Sequence, residues 1–175
     1  ISLAGKKYKN DGDSSSELDS HADTCDVGKN ALIIHDYERP VNVTGYDQSV
    51  ATTKARTVTA AVAYDEPDTG RVLILILHQA IEIPGMSNNL LCPMQLRLND
   101  VIVSETPKFL TVNPTEETHT IQVKERNSLE MTMIRLSLRG VTSYFPTRKP
   151  TISDYEQEET SKYELTFETP EWDPH

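Results

Sequence analysis

The fold of this 175-residue chain is constrained most by one unbroken apolar run, Val72-Leu73-Ile74-Leu75-Ile76-Leu77. The run follows residues 64–71, which are dense in turn formers, and it is far too short to cross a bilayer. A short apolar run bounded by turn signals is typical of a strand that is buried on both faces. Because residues 56–63 are rich in β-branched and small side chains, we expect segments 57–64 and 72–78 to pair as a hairpin.

Most of the remaining sequence also has the short, alternating pattern of β-strands. One short helix is expected at 92–98, because Pro93 stands near its first position, where proline is favoured. The other expected elements are strands at 101–103 and 108–112, a second hairpin that joins 118–123 to 129–138, and a loop at 140–150. The sequence therefore predicts an all-β fold with a single short helix.

Composition divides the chain into four expected parts. Residues 151–175 contain eight Asp or Glu residues and one Lys, and they show no clear period. Such a segment is typical of a linker or a disordered tail. The expected parts are a polar linker at 1–16, a core at 17–100, a β-rich C-terminal extension at 101–150 and an acidic linker or tail at 151–175.

Charge and cysteine content bear on partners and location. The formal net charge is −10, and phosphate contacts require Lys and Arg, so we expect no direct nucleic-acid or membrane partner. No signal peptide is visible in this sequence, so we expect the two cysteines, Cys25 and Cys92, to be reduced thiols. The chain begins at Ile1 rather than Met and ends in acidic residues, so we expect it to be a piece of a longer protein. The longest apolar run is too short for a membrane span and no signal peptide is visible, so we expect a cytoplasmic location.

The stretch Glu17-Leu18-Asp19-Ser20-His21-Ala22-Asp23-Thr24-Cys25 carries a carboxylate with a hydroxyl residue beside it. Two carboxylates that are close enough to share one proton can activate a water molecule between them. The sequence offers one such loop, so the second carboxylate has to come from another copy of the chain, in a homodimer. The literal Asp68-Thr69-Gly70 is interpreted as a hairpin turn, because Pro67, Asp68 and Gly70 are turn formers between two expected strands.

A second motif follows the apolar run, Ile83-Pro84-Gly85-Met86-Ser87-Asn88-Asn89-Leu90-Leu91-Cys92-Pro93-Met94-Gln95-Leu96. Together with the Asp19 stretch it resembles the protease region of copia-type LTR-retrotransposon Pol polyproteins, over roughly residues 17–98. The resemblance implies a retropepsin-like closed β-barrel of the acid protease type, followed here by a C-terminal β-hairpin extension. It also implies an aspartic endopeptidase that acts as a homodimer on its own Gag-Pol polyprotein, inside virus-like particles and without metal or organic cofactor.

The resemblance assigns roles to residues of this chain. Asp19 corresponds to the catalytic aspartate, and water activated between two copies of it would hydrolyse the peptide bond. A flap is implied within 44–57. The other implied residues are Ser20, His21 and Ala22 in the supporting loop, Asp23 and Thr24 in the substrate cleft, Gly45, Tyr46 and Asp47 in the flap, and Asn89, Leu90 and Leu91 in a second loop beneath the site.

This sequence departs from the family in three ways. The expected strand before Asp19 is thin, because residues 15–18 contain one apolar residue, Leu18. His21 stands where the catalytic loop usually has glycine, and a side chain there is costly if the backbone needs a positive φ. Asn88 stands where retroviral enzymes have an arginine that pairs with the aspartate equivalent to Asp23. Arg97 could take over that pairing.

Two other interpretations of the same residues remain open. In the first, the domain keeps the barrel and the dimer, but His21 has silenced the loop and the role is structural. In the second, His21, Asp23, Cys25 and His35 bind a metal ion, since zinc accepts nitrogen, sulfur and oxygen ligands. A role for Cys25 as a nucleophile with His21 or His35 as its base would need a third group that positions the base, and the sequence specifies none, so we expect both cysteines to be structural. Loss of polyprotein cleavage in Asp19→Asn would indicate the enzyme, whereas loss of the fold on addition of a chelator would indicate a metal-binding domain.

Overall fold

The computed structural model describes residues 14–44, 52–125, 128, 130–158 and 160–174, and this part of the chain is predominantly β-structure. The strands are β1 (Ser15–Leu18), β2 (Asp26–Val27), β3 (Leu32–Val43), β4 (Thr53–Asp65), β5 (Val72–Glu82), β6 (Asn89–Leu91), β7 (Ile102–Val103), β8 (Thr120–Lys124), β9 (Met131–Arg135), β10 (Ser137–Arg139), β11 (Thr142–Pro146) and β12 (Ser161–Glu164). The helices are α1 (Pro93–Arg97), α2 (Ile152–Glu156) and a 3₁₀ turn (Lys108–Leu110).

Two sheets organise the described residues. The larger has the strand order β10-β11-β1-β6-β2-β5-β4-β3, with β12 paired to β5, and the smaller has the order β7-β8-β9. β4 and β5 are antiparallel, as are β8 and β9, so both hairpins expected from the sequence are confirmed. The helix expected at 92–98 is confirmed as α1, which begins at Pro93.

The apolar run is buried on both faces, as its sequence predicts. Leu73, Leu75 and Leu77 belong to the main core, together with β4 residues of the same face. Ile74 and Ile76 point to the other face, where they form a smaller cluster. Alternate residues of a strand point to opposite faces, so an unbroken apolar sequence is what two covered faces require.

The strand that precedes Asp19 lies in the interior of the larger sheet. β1 pairs parallel with β6 and antiparallel with β11. Its buried residues include two serines, and Ser16 shares a hydrogen bond of 2.9 Å with the hydroxyl of Thr147. The polar sequence of β1 is therefore compatible with burial, because its hydroxyl groups are hydrogen-bonded. β1 begins at Ser15, inside the segment expected to be a linker.

Two segments near the C-terminal extension differ from expectation. The sequence of 108–112 predicts a strand, but Lys108–Leu110 form a 3₁₀ turn after Pro107, and Phe109 is 75% exposed. The sequence of 140–150 predicts a loop, but this segment contains β11, which alternates buried positions with more exposed ones. Phe145 of β11 is fully buried, and its ring makes an edge contact with the Tyr64 ring.

The acidic tail also contains ordered elements in the structure. Residues 151–156 begin with a capping box between Thr151 and Asp154 and form α2, a second helix beyond the single one expected. β12 pairs parallel with the first half of β5, which buries Tyr163. Among the described residues, no helix is long and apolar enough to cross a membrane.

Candidate active site

Asp19 lies where β1 ends, at a junction with the second motif. Leu18 is in register with Leu91 of β6, and the Asp19 amide donates a hydrogen bond of 3.0 Å to the Leu91 carbonyl. The two motifs of the sequence therefore meet directly. The pairing of β1 with β6, together with this hydrogen bond, fixes the position of the Asp19 backbone.

The loop after Asp19 folds as a tight turn that the sequence suits. The Asp19 carboxylate accepts a hydrogen bond of 2.9 Å from the His21 amide, and the Asp19 carbonyl accepts one of 3.2 Å from the Ala22 amide. Aspartate commonly bonds to the backbone two residues on. His21 is exposed and is not among the described residues with a positive φ. A histidine at this position therefore carries no strain from a left-handed backbone. The expected cost of replacing the loop glycine by His21 does not arise in this turn.

The Asn89 side chain links Gly28, just after β2, to Ser16 of β1. It is fully buried, its amide oxygen accepts the Gly28 amide at 2.9 Å, and its amide nitrogen donates to the Ser16 hydroxyl at 3.4 Å. Gly28 has no room for a side chain, because an added Cβ would lie 2.2 Å from the Met86 carbonyl oxygen. Leu91 is also fully buried, whereas Leu90 is partly buried. Asn89 and Leu91 thus belong to the buried packing beside β1 and Gly28.

The two cysteines are part of the packing beneath the loop. The Cys92 amide donates to Cys25 Sγ at 3.2 Å, and the Cys25 amide donates to Gln95 Oε1 at 2.9 Å. Cys25 is fully buried, and this burial raises the pKa of its thiol well above the usual range. A buried, protonated thiol is a poor nucleophile. The geometry therefore gives no support to Cys25 as a catalytic nucleophile.

Asp19 opens onto a cleft of about 430 Å³. One wall is the loop itself, and the others come from the segment around the 3₁₀ turn and from the β10–β11 hairpin. Several of these wall side chains are apolar and highly exposed, among them Leu110 at 67% and Val141 at 98%. The lining residues are Leu18, Asp19, Ser20, His21, Glu105, Pro107, Phe109, Leu110, Leu138, Gly140, Val141, Thr142 and Ser143.

Asp26 is an acidic residue near the loop that the sequence reasoning missed. It lies on β2, in register with Ile81 and Leu90. Burial is the largest cause that raises the pKa of this carboxyl to about 7, and the nearby charges of Asp23 and Asp19 act in the same direction. Its signal in the sequence was its position between Cys25 and Val27, two apolar residues typical of a core, which is unusual for a solvated acid.

Other candidate residues are arranged differently from the expectations. Asn88 bonds to the Ser15 amide at 3.2 Å and to Glu17 at 3.0 Å, so it braces β1. Arg97 pairs with Glu105 at 2.9 Å, and the described residues show no ion pair between Arg97 and Asp23. The implied flap residues Gly45, Tyr46 and Asp47 lie outside the described residues.

The literal Asp-Thr-Gly is a turn, as expected, and it is no part of the Asp19 loop. It joins β4 to β5, its Gly70 has a φ of 70°, and the Glu66 side chain accepts the Asp68 amide at 3.1 Å. The metal interpretation gains no geometric support. Among the described residues, no group of three or more His, Cys, Asp or Glu side chains is arranged to hold a metal ion.

A residue from the far end of the chain also contacts the loop. The indole nitrogen of Trp172 donates to the Asp23 carbonyl at 3.1 Å and to the Thr24 hydroxyl at 3.0 Å. No period or spacing in the sequence indicates this contact. Asp23 is exposed and Thr24 is buried, so the indole covers one side of the segment assigned to the substrate cleft.

Comparisons of the chain with protein-family models, with curated proteins and with solved structures give no match. The resemblance to copia-type proteases therefore depends on the two sequence motifs alone.

Proposed function

We propose that this chain is a retropepsin-like aspartic endopeptidase of a retrotransposon, active as a homodimer on its Gag-Pol polyprotein. The observation that carries the proposal is the hydrogen bond between the Asp19 amide and the Leu91 carbonyl. It joins the two motifs that resemble the family, at a point where Asp19 lines a cleft. The proposed location is the cytoplasm, within virus-like particles, with no cofactor required.

The proposed homodimer is needed because Asp19 alone supplies one of the two carboxyl groups that the reaction requires. Within the described residues, no second carboxylate is hydrogen-bonded to Asp19, and Ser20 and His21 of the loop are exposed. An aspartic dyad needs two carboxyl groups near enough to share a proton. A second copy of the chain would supply the partner Asp19 across a two-fold axis.

In the proposed reaction, the ionised Asp19 takes a proton from water while the oxygen of that water attacks the scissile carbonyl carbon. The protonated Asp19 of the second copy donates its proton to the carbonyl oxygen, which gives a neutral tetrahedral diol. The C–N bond then breaks as the first Asp19 gives the proton it took from water to the nitrogen, and the ionised Asp19 of the second copy takes a proton from one diol hydroxyl. The products are a carboxylic acid and an amine, and the dyad again has its one proton on the second copy.

The test is the processing of a precursor that carries this chain between flanking polyprotein segments. We expect wild type to cut itself, and we expect Asp19→Asn to slow the cut by at least about a hundredfold, because the amide cannot act as a base. Asp68→Asn is the matched control, since it makes the same change in the literal Asp-Thr-Gly of the β4–β5 turn.

The results separate the enzyme from the silent domain. Cleavage that persists in Asp19→Asn would contradict the assignment of the catalytic carboxylate. If wild type fails to cut while sedimentation shows a folded dimer, the endopeptidase proposal is wrong and the structural role is favoured. Loss of cleavage in Asp68→Asn as well would show that the assay reports folding rather than catalysis.

A further inference from the structure

The chain segment that follows β12 runs along β5 toward the Asp19 loop. We call residues 165–172 the C-terminal strap. Leu165 and Thr166 are fully buried at its start, where the Leu165 amide donates to the Ile76 carbonyl at 2.9 Å. The Thr166 hydroxyl donates to the His78 carbonyl at 2.7 Å. The strap is therefore fixed to the core by these hydrogen bonds before it reaches the site.

Gln79 of β5 binds the second half of the strap. It is 2% exposed, and its side-chain nitrogen donates to the Phe167 carbonyl at 3.0 Å and to the Pro170 carbonyl at 2.9 Å. Its side-chain oxygen accepts the Trp172 amide at 2.7 Å. Gln79 also has a φ of 56°, a conformation that L side chains rarely adopt. A buried amide held in this way directs most of its hydrogen bonds to the backbone of one segment.

The strap ends with Trp172 against the loop that begins at Asp19. The loop is tied at its start by the Leu91 carbonyl, and at its end the Ile81 amide donates to the Cys25 carbonyl at 2.9 Å. Between these ties, the indole contacts of 3.1 Å to Asp23 and 3.0 Å to Thr24 hold the second half of the loop. The Phe167 ring packs edge-on to the indole, with centroids 6.1 Å apart.

We propose that the C-terminal strap is a positioning element of the active site, and that Trp172 is the positioning residue which holds the Asp19 loop through Asp23 and Thr24. This inference rests on the proposed endopeptidase function. The lining of the Asp19 cleft includes neither Asp23 nor Thr24, although the resemblance assigns both to the substrate cleft, so the indole covers these two residues and leaves the cleft beside Asp19 open. In this proposal the indole restrains residues 23 and 24, and movement of these residues would shift Asp19 relative to the Asp19 carboxylate of the second copy.

Catalytic geometry is sensitive to such restraint, because a displacement of about 1 Å at a reacting group can cost on the order of a hundredfold in rate. Trp172→Phe keeps an aromatic ring beside Phe167 and removes both indole hydrogen bonds. We expect it to lower kcat about tenfold or more, with KM and Tm nearly unchanged. Thr24→Val removes one of the two acceptors and should have a smaller effect in the same direction.

The matched control is Glu171→Gln, which changes the same strap at an exposed ion pair. Glu171 contacts Arg39 at 2.6 Å, but its side chain is 72% exposed, so the pair contributes little. We expect this variant to keep wild-type kcat. A strap that is only structural would instead show losses of Tm that track losses of activity in all three variants.

Hydrogen exchange of the full chain tests the restraint without any need for catalysis. We expect amide exchange at residues 19–25 to accelerate at least about tenfold in Trp172→Phe, while β4 and β5 exchange as in wild type. Unchanged exchange at 19–25 would overturn the proposal, and so would faster loop exchange with an unaltered kcat. If wild type itself does not cleave, the function proposed above fails, and faster loop exchange still supports the strap as the restraint on this loop.

Discussion

Replacement of Asp26 by asparagine should make the protein more stable at neutral and alkaline pH but not at acidic pH. Burial and two neighbouring carboxylates raise the pKa of Asp26 to about 7, from an ordinary value of 3.8. The folded state therefore binds this proton more tightly than the unfolded state does. The associated stability is fully present below about pH 4, and it is lost as the pH rises toward 7.

The size of the effect follows from the difference between the two pKa values. At about 1.4 kcal/mol for each pH unit, the interval from 3.8 to about 7 corresponds to about 4 kcal/mol above neutral pH. Asp26 is only partly buried, so solvent screening lowers this figure to about 2–4 kcal/mol. An asparagine side chain has nearly the same shape as aspartate and carries no charge, so the variant escapes the cost of a buried carboxylate.

The assay is urea unfolding of wild type and Asp26→Asn at one protein concentration, from pH 4 to pH 9. The difference in the free energy of unfolding should be near zero at pH 4, grow with pH and level off above about pH 7. Asp23→Asn removes a charge that raises the Asp26 pKa, so it should move the midpoint of this dependence to lower pH. A difference that is the same at every pH, or an Asp26→Asn variant less stable at pH 8, would refute the reasoning.

Two further predictions concern packing. Gly28→Ala should destabilise the protein by about 1–3 kcal/mol, because the new Cβ would lie 2.2 Å from the Met86 carbonyl oxygen. Gly85→Ala is the control, since a Cβ there meets nothing within 4 Å, and it should leave the stability nearly unchanged. Thermal unfolding of both variants measures the difference. Phe145→Ala should lower the free energy of unfolding in urea by about 3–5 kcal/mol, because the ring is fully buried. Phe109→Ala is the control, since this side chain is 75% exposed, and it should lower the free energy of unfolding by less than about 0.5 kcal/mol. Equal losses in the two variants would contradict the assigned core.

The sequence predicts the elements whose partners are near in the chain. The β4–β5 hairpin, the β8–β9 hairpin and α1 each depend on local signals: an apolar run, a turn or a proline at a helix start. The pairing of β1 with β11 joins residues that are far apart in sequence. Strand pairing at such separation has no local signature, and for this reason the turn formers of 140–150 indicate only a loop.

The candidate site could be predicted only in part. The two motifs led us to expect the Asn89-Leu90-Leu91 segment beneath Asp19, and the structure joins them at Leu91. The contact of Trp172 could not be predicted, because a lone aromatic in an acidic segment usually lies in solvent. Asp26 was missed although its two apolar neighbours were a local signal of burial. The capping box at Thr151 and Asp154 was a local signal in the tail that indicated a helix.

The order of synthesis gives the sheet around β1 a further consequence. β1 is made before both of its partners, and the second partner, β11, is complete only when Pro146 has been added. Trp172, which contacts the Asp19 loop, comes later still. On a ribosome, the loop therefore cannot take its final shape until almost all of this chain has emerged. In the proposed endopeptidase, this delay would protect a growing polyprotein from premature self-cleavage, because β11 and Trp172 become available only after most of the chain has been made.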